Sequence, residues 1–284
     1  MKYGKMWLAI AAVIVAGGVA IQAKQHLSAT ADSAQIRPSA SAKPGGAQPS
    51  GSEPAQTAPD LPTVPAWAEG NLLGETISRD GASPAVVTNP SSLYAVVNKK
   101  RNLPSDYVPG DLTVPDVPFS FSGNAEKKQM RQDAAAALEK LFAGAENDGI
   151  ELKAVSGYRS YARQQTIFNQ NARKEGEEAA NRTSARPGQS EHQTGLAMDV
   201  SSASVGYALD TRLGEMKEGI WLAAHAAEYG FIIRYPKDKQ DETGYTYEPW
   251  HIRYVGKEAA RDIARSGLTL EQYYEKLESK QVNG

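Results

Sequence analysis

The chain has no cysteine among its 284 residues. That absence excludes disulfides, Cys-ligated zinc, thiol catalysis and a lipidated-cysteine anchor, so any metal site must be built from His, Asp or Glu. Histidine is scarce as well, with four in the whole chain, and each can be weighed singly. Charge of one sign is lacking: 31 Lys and Arg stand against 33 Asp and Glu, and the formal net charge of -2 gives no electrostatic reason to expect nucleic acid. Long apolar runs are missing too, except at the start, where Lys2 and Lys5 precede LAIAAVIVAGGVAI, which ends at Ile21. A basic stretch followed by an apolar one reads as an export signal. The run falls slightly short of the roughly 20 residues of a spanning helix. Ile21, large and two before Ala23, makes a poor cleavage site. Residues 1–23 are therefore expected to be either a cleaved signal peptide or a retained membrane anchor.

What is present divides into segments. Residues 24–66 are Ser, Ala, Pro, Gln and Gly with hardly a large apolar side chain. Such a stretch buries too little surface to offset its ordering entropy, and it is expected to be a disordered tether. Residues 67–123 hold short apolar pieces (AVVT, LYAVVN, VPFSF) divided by Pro and Gly, and read as an extended arm lying on the domain. The cluster KKR at 99–101 reads as a solvated turn. From Asn124 to the end, helical and strand patterns come mixed. AEKKQMRQDAAAALEKLFAGAENDG carries Met130, Ala134, Leu138 and Leu141 at helical spacing, and SYARQQTIFNQNARKEG is a second helix capped by Ser160. IELKAVSGY, the stretch from Gly195 to Ser201, FIIRYP and WHIRYV read as strands. GEMKEGIWLAAHAAEYG, GKEAARDIARSG and TLEQYYEKLE read as further helices. The mixture, without a strict βαβ rhythm, predicts an α+β domain over 124–284 with a small, mainly antiparallel sheet.

The histidines differ in setting. His26 lies in the tether, and His225 sits on a helix among alanines, where a structural role is expected. His192 and His251 each lie beside carboxylates at a loop–strand border, in SEHQTGLAMDV and EPWHIR. In the strand LAMDV, Leu196, Met198 and Val200 share one face and Asp199 points to the other, while Gly195 lets the chain turn His192 back toward it. Glu248 precedes His251 by three residues, with Pro249 between them distorting any regular strand. Two histidines and an aspartate would supply three ligands of a catalytic zinc and leave the fourth position to water, with Glu248 as base. By spacing alone each motif reads equally well as a polar loop holding a satisfied core histidine.

Three blocks together resemble one family. SEHQTGLAMD is similar to an S-x-H-x-x-G-x-A-x-D signature, EPWHIRY to E-x-W-H, and VSGYRSYARQQ to S-G-Y-R-S-x-x-x-Q, all of the VanY-type D-alanyl-D-alanine carboxypeptidases, a zinc metallopeptidase family. NKKRNLPSDYVPGDL resembles the segment before that family's catalytic domain, and the likeness covers roughly residues 90–275. It implies an α+β domain carrying one zinc ion on an antiparallel sheet, held by His192, Asp199 and His251. It further implies Glu248 as general base, Arg159 as the cation that stabilises the oxyanion, and Gln164 and Ser190 at the substrate's C-terminal end, with Trp250 shaping the site. The implied activity is removal of the terminal D-alanine from peptidoglycan stem peptides outside the cytoplasmic membrane. L,D-cleavage of tetrapeptide stems is the alternative within the class, and a non-catalytic zinc-stabilised wall-binding module the alternative outside it. The peptidoglycan stem peptide is the expected partner. Membrane contact is expected only through the N-terminal segment, and the chain is expected to be a monomer.

Overall fold

The computed structural model describes residues 64–78 and 80–283. The expected signal or anchor, and all but the last residues of the expected tether, lie outside them. Among the described residues no helix is long and apolar enough to cross a membrane.

The N-terminal part is tied down by short pieces of structure. Two 3-10 turns, Ala66–Ala68 and Leu73–Glu75, lead to β1 (Ala85–Val86), which pairs in parallel with β2 (Arg101–Asn102). β3 (Leu112–Thr113) then pairs antiparallel with β4 (Met130–Arg131). The first long helix, α1, runs Gln132–Asn147, and so begins later than its apolar spacing suggested. The reason is competition for the backbone: Met130 and Arg131 are committed to β3, and the Arg131 N–H donates to the Gly195 carbonyl at 2.8 Å. The basic cluster at 99–101 also departs from expectation. Arg101 is buried, and its guanidinium donates to the carbonyls of Val96, Leu73 and Thr76 and to the Thr76 hydroxyl. It is a clip for the arm rather than a solvated charge.

β5 (Lys153–Ser156) leads into α2 (Tyr161–Glu175), whose Ser160 cap accepts from the Arg163 N–H. The short α3 (Glu177–Thr183) follows, and then β6 (Ala197–Ser201). α4 (Lys217–His225) and a 3-10 turn end at Gly230, whose φ of 92° lets the chain reverse into β7 (Phe231–Tyr235). A single turn, α5 (Gln240–Thr243), precedes β8 (Glu248–Tyr254), and α6 (Lys257–Ser266) and α7 (Leu270–Asn283) close the described chain. The main sheet is antiparallel with order β5-β6-β8-β7. The fold is thus a mixture of helices and small, mainly antiparallel sheets, an α+β architecture. Pro249 lies within β8, and the irregularity falls in the pairing with β7, between Ile233 and Tyr235.

The two faces of the sheet have different chemistry. One packs on α1 through Met198, Val200, Phe231 and Ile252, which meet Leu138, Leu141 and Phe142. Side chains of this size each contribute roughly 1.5–3 kcal/mol when fully buried. A second core joins Trp67 and Leu72 of the arm to Ile232 and Val255 and to Tyr273, Tyr274 and Leu277 of α7. The other face of the sheet is equally buried but polar: Asp199, Arg234, His251 and Arg253 are all at most 3 % exposed. Burying so many ionisable groups is costly unless they answer one another, and that requirement marks the site.

Candidate metal centre and active site

Strand register brings the first two groups together. Asp199 of β6 and His251 of β8 are directly opposed partners, and the His251 Nδ1 lies 3.1 Å from the Asp199 Oδ1. The third comes from the 3-10 turn Glu191–Thr194, which Gly195 terminates in the left-handed region at φ 68°. A Cβ at that position would be strained by the backbone conformation and would lie 3.0 Å from both the Arg131 Cγ and the Leu112 Cδ2, which would have to give way. The turn carries His192 back until its Nε2 is 3.4 Å from the Asp199 Oδ2. One ligand atom from each of His192, Asp199 and His251 lies within 4.8 Å of the others, and all three residues are buried.

The donor set fits zinc. The His192 Nδ1 is 2.8 Å from the Gly157 carbonyl oxygen, so its N–H is used there and the Nε2 lone pair faces Asp199. Two imidazoles and one carboxylate, with no fourth protein ligand among the described residues, leave a position for water, as in catalytic rather than structural zinc sites. These groups respond strongly to one another. Burial alone would raise Asp199, but His192 and His251 hold it far below the usual carboxylate range. Burial opposes the charge on His251, yet hydrogen bonds to Asp199 and Glu191 raise it to about 9. His192 is lowered by its burial, against the pull of Asp199.

Glu248 opens β8 with an oxygen 3.9 Å from the His251 Nδ1. Burial, reinforced by the charge of Asp199 and opposed by His251, pushes its carboxyl up to about 7. Arg159 follows β5 and lines the same cleft, of about 310 Å³, together with Ser190, Tyr235, Glu248 and Trp250. Its guanidinium donates to the Gln164 Oε1 at 2.9 Å and to the Ser156 Oγ at 3.2 Å. Ser190 makes no side-chain cap to the turn that follows it and is left facing the cleft. Gln164 stands differently from the position the resemblance implied. It is 1 % exposed, its Oε1 taken by Arg159 and its Nε2 by the Ala185 carbonyl at 2.6 Å, so it lies behind Arg159. His225 is remote from this group, stacked on Trp221 and 2.8 Å from Glu228.

Glu191 escaped the sequence reading. Its side chain is fully buried, with Oε1 shared by the Arg234 Nε at 2.7 Å and the Arg253 Nη1 at 2.8 Å, and Oε2 3.4 Å from the His251 Nε2. Burial would raise this carboxyl, but the two guanidiniums hold it far below the usual range. The one signal available was a charged residue between Ser190 and His192, with no hint of partners 43 and 62 residues away.

A buried His–Asp–His triad, with a mostly buried carboxyl and a guanidinium lining the same cleft, defines a metallohydrolase. Residues 127–257 match the VanY family model, D-alanyl-D-alanine carboxypeptidase. The chain is 52% identical over 191 residues to the putative carboxypeptidase YodJ of Bacillus subtilis (strain 168), covering 67% of this chain and 70% of that one. Among solved structures, the LdcB LD-carboxypeptidase is 50% identical with a TM-score of 0.68, over 71% of this chain and 94% of that one. A mutant of the vancomycin-resistance D,D-pentapeptidase VanY, in complex with Zn(II), is 32% identical with a TM-score of 0.53, over 63% of this chain and 97% of that one. The chain belongs to the VanY D-alanyl-D-alanine carboxypeptidase family and is a peptidase that acts as a carboxypeptidase on peptidoglycan peptides.

Proposed function

We propose that the chain is a zinc-dependent enzyme that removes the terminal D-alanine from peptidoglycan stem peptides outside the cytoplasmic membrane. The observation that carries this is the convergence of His192, Asp199 and His251 within 4.8 Å beside Glu248, in a cleft that Arg159 also lines. His192, Asp199 and His251 would hold one zinc ion, which when bound would polarise the scissile carbonyl and make a water acidic near neutral pH. Glu248 is placed to take the proton of the attacking water and to deliver it to the leaving amine. Arg159 holds the developing oxyanion, and Gln164 keeps its guanidinium aimed from behind. Ser190, unpartnered at the cleft wall, receives the free carboxylate, whose recognition makes the enzyme an exopeptidase. The basic and apolar pattern of residues 1–23 supports the location.

Two stem lengths are compatible with this chemistry. D,D-cleavage of pentapeptides accords with the family model and the likeness to VanY. L,D-cleavage of tetrapeptides accords with the likeness to the LD-carboxypeptidase, which is higher in identity and in TM-score, and it is the reading we favour. The purified protein should contain one zinc and, by mass spectrometry, take one alanine from a tetrapeptide muropeptide much faster than from a pentapeptide. The reverse preference restores the D,D reading. Zinc without loss of alanine from either substrate overturns both readings of the stem length.

A further inference from the structure

The two imidazoles of the triad are oriented by different means. His192 gives its Nδ1–H to a backbone carbonyl, that of Gly157 at 2.8 Å, and presents Nε2 to Asp199. His251 is turned the other way. Its Nδ1 faces Asp199 at 3.1 Å and Glu248 at 3.9 Å, and its far nitrogen, Nε2, points at the Glu191 carboxylate 3.4 Å away. Glu191 cannot swing. Arg234 and Arg253 grip its other oxygen at 2.7 and 2.8 Å, and the side chain has no exposed surface. Those arginines are themselves anchored outside the segment matched by the family model: Arg253 donates to the carbonyls of Leu93 and Ala95 in the arm, and Arg234 pairs with Glu271 of α7, which also accepts from Asn98.

We propose that Glu191 is a positioning residue of the metal centre: its carboxylate accepts the His251 Nε2–H, fixing the tautomer whose Nδ1 lone pair faces Asp199, and the arm and α7 hold it there through Arg253 and Arg234. This rests on the zinc reading above. A carboxylate behind a ligating imidazole raises its basicity and locks its ring, and losing such a partner typically weakens metal affinity roughly 10–100-fold. A purely structural account of the cluster is different: it predicts changes in stability while the assembled centre keeps its affinity and ligand field.

The test uses the metal-free full chain, zinc affinity by competition with a chromophoric chelator, and the absorption spectrum of the cobalt-substituted protein. Two variants separate the effects. Glu191→Asp keeps the anion for both arginines but withdraws it from the imidazole by one methylene, while Glu191→Gln removes the charge. With near-UV circular dichroism retained, zinc affinity is expected to fall roughly 10–100-fold and the cobalt spectrum to shift. Should Glu191→Gln fail to fold, Glu191→Asp decides. Wild-type affinity with an unchanged cobalt spectrum in a folded variant overturns the proposal. In the zinc-loaded wild type, imidazole nitrogen NMR should show the His251 proton on Nε2, and ligation through Nε2 overturns the proposal without any variant. A wild-type chain that takes up no zinc at all overturns the zinc reading instead, an outcome distinct from either.

Discussion

Glu248 sits where a general base is most useful, with a carboxyl pushed up to about 7 by burial and by Asp199 against the opposing pull of His251. A zinc dication beside it adds to that opposing pull, so the working value in the loaded enzyme lies below 7. The base acts only when ionised. As pH falls below the Glu248 pKa, kcat/KM should therefore drop by about tenfold per unit, and above it the rate should reach a plateau. Glu248→Gln is expected to lower kcat/KM by on the order of 10³-fold with zinc content unchanged, and to abolish this acid limb. Measuring kcat/KM against pH for both proteins checks it. A variant that keeps the limb would move the base elsewhere. His192, Asp199, Glu248 and His251 each lie in a short motif that alone reads equally well as a polar loop, and only the three blocks taken together pointed to them. Asp199 and His251, 52 residues apart, end as opposed partners.

At the scale of elements, local signals survived and long-range side-chain-to-backbone ones did not. Ser160 caps α2 as its position implied, and Met198 and Val200 bury the face of β6 that alternation assigned to them. The arm carried no such signal, because what fixes it is a guanidinium collecting carbonyl oxygens, a pattern without period. Arg101 reaches the Val96 carbonyl at 3.0 Å, the Leu73 carbonyl at 2.8 Å and the Thr76 hydroxyl at 2.7 Å. Arg101→Ala leaves those acceptors with poorer partners, and each that stays buried costs about 1–3 kcal/mol. The expected result is a urea midpoint lowered by the equivalent of about 2–4 kcal/mol and faster protease cleavage within residues 70–98. An unchanged midpoint together with unchanged cleavage would mean that the aromatic contacts of Trp67 hold the arm without it. Those contacts are real competitors: Trp67 lies 5.7 Å from Tyr273 and 5.1 Å from Tyr94, ring centre to ring centre.

For the whole molecule, the matched family segment shares its packing with the described residues on either side of it. Residues 127–257 contain the triad, Glu248 and Arg159, but the second core is built between that segment and what lies outside it. Without the arm and the last two helices, Ile232 and Val255 lose Trp67, Leu72 and Leu277 as neighbours. Arg234 would lose Glu271, and Arg253 would lose the carbonyls of Leu93 and Ala95. Breaking one buried ion pair by removing a partner costs about 3–5 kcal/mol, and a domain's whole stability is about 5–15 kcal/mol. Arg234 keeps Glu191 as a partner, so the loss is at most that figure, yet it is a sizeable fraction of the total before the exposed apolar surface is counted. The isolated segment 127–257 is therefore expected to show no cooperative urea transition and to bind zinc far more weakly than the chain from residue 64 onward, which should unfold in one step. Urea titration followed by tryptophan fluorescence and by zinc retention would decide it. A cooperative transition in the short segment within about 2 kcal/mol of the longer chain would show that the arm and α7 are accessories to the metal centre rather than its outer wall.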